Sequence, residues 1–250
     1  MPLTFPSHAA AAVPLKMWRP RWFDGVALVV GSAVPDLPFA FDPWFTVRTH
    51  TWWGLVWFCV PMTLLGTAIL RSAAPTVAAH LPGWGREYGV LGRVRHRWWV
   101  TVASAYLGAL SHRLWDMVTH ESIDQGRVRF AWLSLAGPGG VPVHTYAHLG
   151  STVLGALGVA WCAVLIGRRG LLVRWHGPVA PGPARAVLFW GTTGAVTGLL
   201  AVVSVLLPGW PSFAVIGVRW IASVALGVLA GVLAVRTARL NDPVPARAAR

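Results

Sequence analysis

Six apolar stretches, each long enough to cross a bilayer, follow one another along this chain. They run roughly over Phe23–Phe41, Trp52–Leu70, Trp99–Thr119, Tyr146–Gly167, Ala186–Leu207 and Ser212–Val235. A hydrocarbon core of about 30 Å takes some 20 apolar residues as a helix, and inside it each backbone polar group must find its partner within the protein. The pattern predicts an all-α, polytopic membrane helix bundle of about six transmembrane helices plus a short N-terminal helix. Only 12% of the residues are charged and 55% are hydrophobic, whereas a soluble domain carries about 25% charged residues. The connections carry the Pro, Gly and Arg, and the longest, Arg71–Trp98, is too short to hold a soluble domain. One transmembrane domain over residues 1–240 with a disordered tail at 241–250 is therefore expected.

The net charge of +13 points to topology rather than to nucleic acid. The basic residues fall between apolar spans and form no basic face with an aromatic platform, so no nucleic-acid partner is expected. Sixteen of the 21 Lys and Arg lie in residues 1–22, 71–98, 168–185 and 236–250, and only three in 42–51, 118–145 and 208–211. The positive-inside rule makes the first set cytoplasmic. That predicts a multi-pass membrane protein with both termini on the cytoplasmic side and the lipid bilayer as its main partner. Cys59 and Cys162 each lie in an apolar span, which argues against a disulfide framework. Gly194 and Gly198, then Gly227 and Gly231, make two Gly-x-x-x-Gly steps suited to close helix packing.

Against this apolar background one segment stands out. It reads Ser111-His112-Arg-Leu-Trp-Asp116-Met-Val-Thr-His120. Steps of four keep the three ionisable groups on one helical stripe. A carboxylate in hydrocarbon needs a partner, a proton or a metal. Topology brings more polar groups to the same end of the membrane: Asp36 late in the first stretch, His50 just before the second, and His144 and His148 opening the fourth. His8 joins them only if Ser7–Met17 forms a half-span that dips into the membrane; the alternative is an interfacial helix on the cytoplasmic face. His80, His96 and His176 lie in cytoplasmic connections, where solvation is the simpler expectation. Imidazole and carboxylate suit zinc, manganese or iron, and two ligands at i and i+4 can reach one ion. His112 and His120 are about 12 Å apart along a helix, so they are not expected to share one.

Several pieces of the chain resemble, in order, the uncharacterised bacterial membrane family known as domain of unknown function 4184. They are Met1-Pro-Leu-Thr-Phe-Pro-Ser-His8, Gly31-Ser-Ala-Val-Pro35-Asp36, Thr49-His50-Thr-Trp-Trp-Gly, Gly108-Ala-Leu-Ser-His112-Arg-Leu-Trp-Asp116 and Tyr146-Ala-His148-Leu-Gly. More loosely, the Pro-Asp, Thr-His and His-x-x-x-Asp pieces resemble inner-membrane proteins described as metal-dependent hydrolases. That resemblance implies a metal held by His8, Asp36, His50, His112 and Asp116. Val34-Pro35-Asp36-Leu37-Pro38 departs from it by lacking the second Asp and the following His, which favours one metal over two.

The resulting expectation is a His/Asp site near the extracytoplasmic face with a divalent cofactor, zinc or manganese. As an enzyme the chain would carry out metal-assisted hydrolysis of a lipid-like or membrane-associated ester or phosphoester. His120 and His148 are the candidate general acid and base. A proton or metal-ion transporter and a non-catalytic scaffold are the competing readings.

Overall fold

The computed structural model describes residues 7–120, 130–180, 182, 184–208 and 213–241. The tail expected to be disordered lies outside them beyond Asn241, as do Glu121 and Asp124. The helices are α1 (Ala9–Trp18), α2 (Gly25–Gly31), α3 (Trp52–Ala79), α4 (Trp98–Thr119), α5 (Val143–Arg168), α6 (Leu171–His176), α7 (Ala186–Leu206) and α8 (Phe213–Leu240). Two longer 3-10 helices, Val34–Phe41 and Gly83–Gly92, join them. No strand occurs among the described residues beyond an isolated bridge between Ala136 and Pro142. Four helices, α3, α5, α7 and α8, are long and apolar enough to cross a membrane. The 22-residue α4 is long enough but is not one of the four, because its last turns carry His112, Arg113 and Asp116.

The first apolar stretch is not one continuous helix. Asp24 caps α2, accepting from the Ala27 N–H at 3.3 Å, and α2 stops after seven residues. Pro35 has no N–H to continue the ladder and fits the opening of a new helix, so the chain turns at Ser32–Ala33 and restarts as Val34–Phe41. Asp36 N–H bonds the Ala33 carbonyl, which leaves the Ser32 carbonyl open to another partner. In α3 the helix widens into one π turn over Leu55–Cys59 just before Pro61, the usual accommodation of a missing donor.

Two glycines set the distance between α2 and α4. A Cβ on Gly31 would sit 2.5 Å from the Ala105 carbonyl oxygen, and one on Gly108 would collide with the Leu28 carbonyl. Only hydrogen side chains allow this crossing. Of the two Gly-x-x-x-Gly steps, Gly227 and Gly231 pack against Thr193, Thr197 and Phe189 of α7, whereas Gly194 and Gly198 meet nothing within 4 Å. Arg219 of α8 is buried and donates to the carbonyls of Ala40 (3.1 Å), Asp42 (2.5 Å), Ser204 (3.3 Å) and Pro208 (2.8 Å). It ties the end of the Val34–Phe41 helix to the α7–α8 pair.

Gly108→Val should destabilise the protein by about 1–3 kcal/mol through overpacking at this crossing. Gly194→Val, which has open space around it, should leave the thermal midpoint in detergent unchanged. Thermal denaturation of the two variants beside the parent protein checks both outcomes.

Candidate metal centre

At the ends of α1, α2 and α4 these breaks and crossings bring five side chains together. His8 precedes the first turn of α1, Asp36 opens the 3-10 helix, His50 precedes α3, and His112 and Asp116 share one face of α4. His112 Nε2 lies 3.2 Å from His50 Nε2, 3.4 Å from Asp36 Oδ1 and 3.1 Å from Asp116 Oδ2. His50 Nε2 is 3.4 Å from Asp36 Oδ1 and 3.4 Å from Asp116 Oδ2. A ligand atom of His8 lies within 4.8 Å of those of Asp36 and His112. Its ring stacks on His112 at 3.8 Å, and its Nε2 faces Asp116 Oδ1 at 3.6 Å.

The outer hydrogen bonds fix which nitrogen carries the proton. His112 Nδ1 is 2.7 Å from the Ser32 carbonyl, which only accepts, so Nδ1 must donate. Thr49 Oγ1 gives its proton to the Pro35 carbonyl at 2.7 Å, so it can only accept from His50 Nδ1 at 3.1 Å. Both neutral imidazoles therefore direct Nε2 lone pairs at each other and at two carboxylate oxygens. Without a positive charge between them every one of these contacts is repulsive. Protons on both Nε2 atoms would turn the four imidazole–carboxylate contacts into ion pairs and leave only the Nε2–Nε2 contact opposed, whereas a cation at the centre relieves all five.

The dimensions agree with that cation. Zinc bonds of 2.0–2.1 Å in a tetrahedron place neighbouring ligand atoms about 3.3 Å apart. Five of the six edges among His50, His112, Asp36 and Asp116 run from 3.1 to 3.4 Å, and two three-residue groups, His8–Asp36–His112 and His50–His112–Asp116, keep their ligand atoms within 4.8 Å of one another. Two carboxylates also offset one divalent charge, so the loaded site is close to neutral, which a low-dielectric setting demands. These buried His and Asp groups could hold a metal ion. The side chains of His8 and His112 are fully buried, while Asp36, His50 and Asp116 keep 10–13% of their surface. Access to the centre is therefore from the Asp36–His50–Asp116 side.

His120 and His148 stand at the rim. Thr119 Oγ1 donates to the Trp115 carbonyl, so His120 Nδ1 donates to Thr119 Oγ1 at 2.9 Å, with Asp116 Oδ1 also 3.3 Å away. His112 and His120 thus address opposite oxygens of one carboxylate. The His148 ring stands edge-on to His120 at 4.1 Å, and its two buried nitrogens have no hydrogen-bond partner among the described residues. His144 turns instead to the Leu133 carbonyl at 3.3 Å.

A second polar cluster occupies the other ends of the same helices. Buried Asp24 pairs with Arg71 at 2.6 Å and accepts from Thr101 Oγ1 at 2.8 Å, and its N–H donates to Ser104 Oγ at 2.9 Å. Nearby Lys16 Nζ donates to the Pro20 and Phe23 carbonyls, 3.4 Å from His96 Nε2. Burial and then Lys16 hold His176 down to about 4. The expectation that the connection histidines are solvated fails at His80. Its Nδ1 donates to the Thr76 carbonyl, its Nε2 accepts the Arg185 N–H, and its ring stacks on Phe189 at 4.3 Å. It caps the start of α7, a role that needed the tertiary packing to be visible. Ser32 and Thr49, which orient the two central imidazoles, also went unremarked as site residues; the break at Pro35 is the only sequence signal for the first.

Fold and site together define an all-helical protein with membrane-length helices and a buried His/Asp cluster able to take a metal ion. The chain belongs to the family described as domain of unknown function DUF4184, whose model matches residues 1–236. No curated protein and no solved structure matches it.

Removing the outer support should weaken the centre without removing a ligand. Thr49→Val is expected to lower zinc affinity 10- to 100-fold, measured by competition with a chromophoric chelator, while the helical circular dichroism stays unchanged.

Proposed function

We propose that this protein is a metal-dependent hydrolase of a membrane-associated ester or phosphoester, with one divalent ion at His50, His112, Asp36 and Asp116. The opposed Nε2 lone pairs of His50 and His112, 3.2 Å apart with both tautomers fixed from outside, carry the reading. The cage edges favour zinc, with manganese the second choice. His8 completes the set from beneath, stacked on His112. When bound, a divalent ion at this position acidifies a water molecule and polarises the scissile group.

The chain's own residues do the rest. His120 keeps its Nδ1 proton toward Thr119 and Asp116, so Nε2 is its basic nitrogen. Asp116 faces the cage through Oδ2, and its Oδ1 lies 3.3 Å from the His120 ring that Thr119 orients, a carboxylate–imidazole pair suited to general acid–base work. His148, edge-on to His120, is the second imidazole through which the proton leaves or returns.

The transport reading is weakened by what separates the two polar clusters. His8 and Lys16, Asp24 and Ser32, and Ser104 and His112 each lie eight residues apart, about 12 Å along a helix. The layer between them holds buried Ala12, Leu28, Ala105 and Ala109 and is apolar. The scaffold reading is weakened by the 3.2 Å Nε2–Nε2 contact, which stays opposed even when both imidazoles are protonated and paired with Asp36 and Asp116. The proposal keeps about six crossings, with α4 and the broken first stretch adding to the four long apolar helices. It also keeps the centre near the extracytoplasmic face of a bacterial cytoplasmic membrane, supported by the basic-residue asymmetry.

Elemental analysis of protein purified in detergent should find about one divalent ion per chain, lost in His112→Ala and Asp116→Ala. His120→Ala should keep the ion, yet hydrolyse bis(p-nitrophenyl) phosphate 10²- to 10⁴-fold more slowly. Folded protein without a metal, or full turnover in His120→Ala, would contradict the reading.

A further inference from the structure

Beside the centre lies a cavity that the metal chemistry does not account for. The 3-10 helix and the connection that follows it enclose about 510 Å³, lined by Pro35, Phe39, Asp42, Phe45, Arg48 and His50 among others. That volume is within the usual range for small-molecule sites. His50 belongs to both cavity and cage, and the Phe39 ring is 6.2 Å from the His50 ring. A ligand filling the cavity would therefore end against the open side of the centre.

The lining restricts what that ligand is. A cavity for an acyl chain has no use for Arg48 and Asp42. A purely anionic ligand would meet the Asp42 carboxylate as a like charge, and a purely cationic one would meet the Arg48 guanidinium. Only a group carrying both charges pairs both residues. Arg48 suits a phosphate, which its planar fork can bind through two hydrogen bonds. Asp42 shares the cavity lining with Phe39 and Phe45, a combination that suits an ammonium through ion pairing and cation–π attraction. Its backbone is also anchored, because Arg219 holds its carbonyl at 2.5 Å.

The geometry points to a subsite for a zwitterionic phosphoester, with its phosphate at Arg48 toward the metal centre and its ammonium at Asp42. The inference rests on the hydrolase reading for the chemistry, in which water adds to phosphorus and an alcohol leaves with a proton. It does not rest on that reading for binding.

The test is calorimetric titration of the full chain in detergent with sn-glycero-3-phosphoethanolamine, inorganic phosphate and ethanolamine. The ester should bind at least tenfold more tightly than either fragment, a comparison that needs no variant to fold. Arg48→Gln should weaken both ester and phosphate at least tenfold, and Asp42→Asn should weaken the ester alone. An ester that binds no better than phosphate, or is indifferent to Asp42→Asn, overturns the inference. Elemental analysis of the same samples separates the two claims. Metal without ester binding sinks the subsite and leaves the hydrolase, whereas ester binding without metal does the reverse. Displacement of the soluble ester by phosphatidylethanolamine in mixed micelles marks a lipid source and its failure a soluble one; either source supports the subsite.

Discussion

Two imidazole nitrogens, both with their protons turned away, face each other across 3.2 Å between two carboxylates. Neutral side chains do not choose that arrangement. A positive charge at the middle relieves it, and the Ser32 carbonyl and Thr49 hydroxyl, which accept from the two Nδ1–H groups, aim both Nε2 atoms at that point. Much of the surrounding architecture serves to hold this contact. The Gly31–Gly108 crossing brings the Ser32 carbonyl to His112. The break at Pro35 frees that carbonyl and presents both Asp36 and the Pro35 oxygen that takes the Thr49 proton.

The same breaks explain why the half of the protein that carries the site is irregular. A continuous helix satisfies its own backbone and has no carbonyl to spare. By interrupting the first apolar stretch, the chain frees backbone acceptors and uses them at once, as the partner of His112 and, through Thr49, of His50. Irregular backbone is tolerated there because it is buried in protein. The α7–α8 pair, by contrast, is regular, and its contribution to the site is the strap from Arg219 to the Ala40 and Asp42 carbonyls.

How much of this was legible in the sequence depends on whether the signal was local. His112 and Asp116 were readable because the helix alone places i and i+4 on one face. Asp36 and His50 followed from topology, since charge asymmetry assigns each loop a side. His8 did not follow: its neighbours allow an interfacial helix as readily as one packed into the bundle, and only its burial against His112 settles the choice. The split of the first stretch was signalled by Pro35 and Pro38, yet hydrophobicity alone read it as one span. Asp24 has no local signal of its role, because its partners Arg71 and Thr101 come from segments 47 and 77 residues away. His80 is invisible locally for the same reason, as its partner Arg185 lies 105 residues on.

The central claim is that a metal ion sits between His50 and His112. X-ray absorption at the zinc edge of the purified full-length protein addresses it most directly. The account predicts first-shell N/O distances of about 2.0–2.1 Å at a coordination number near four, with the outer-shell scattering of two or more imidazoles. A folded protein with no bound metal, or a metal with an oxygen-only shell lacking imidazole scattering, would contradict it.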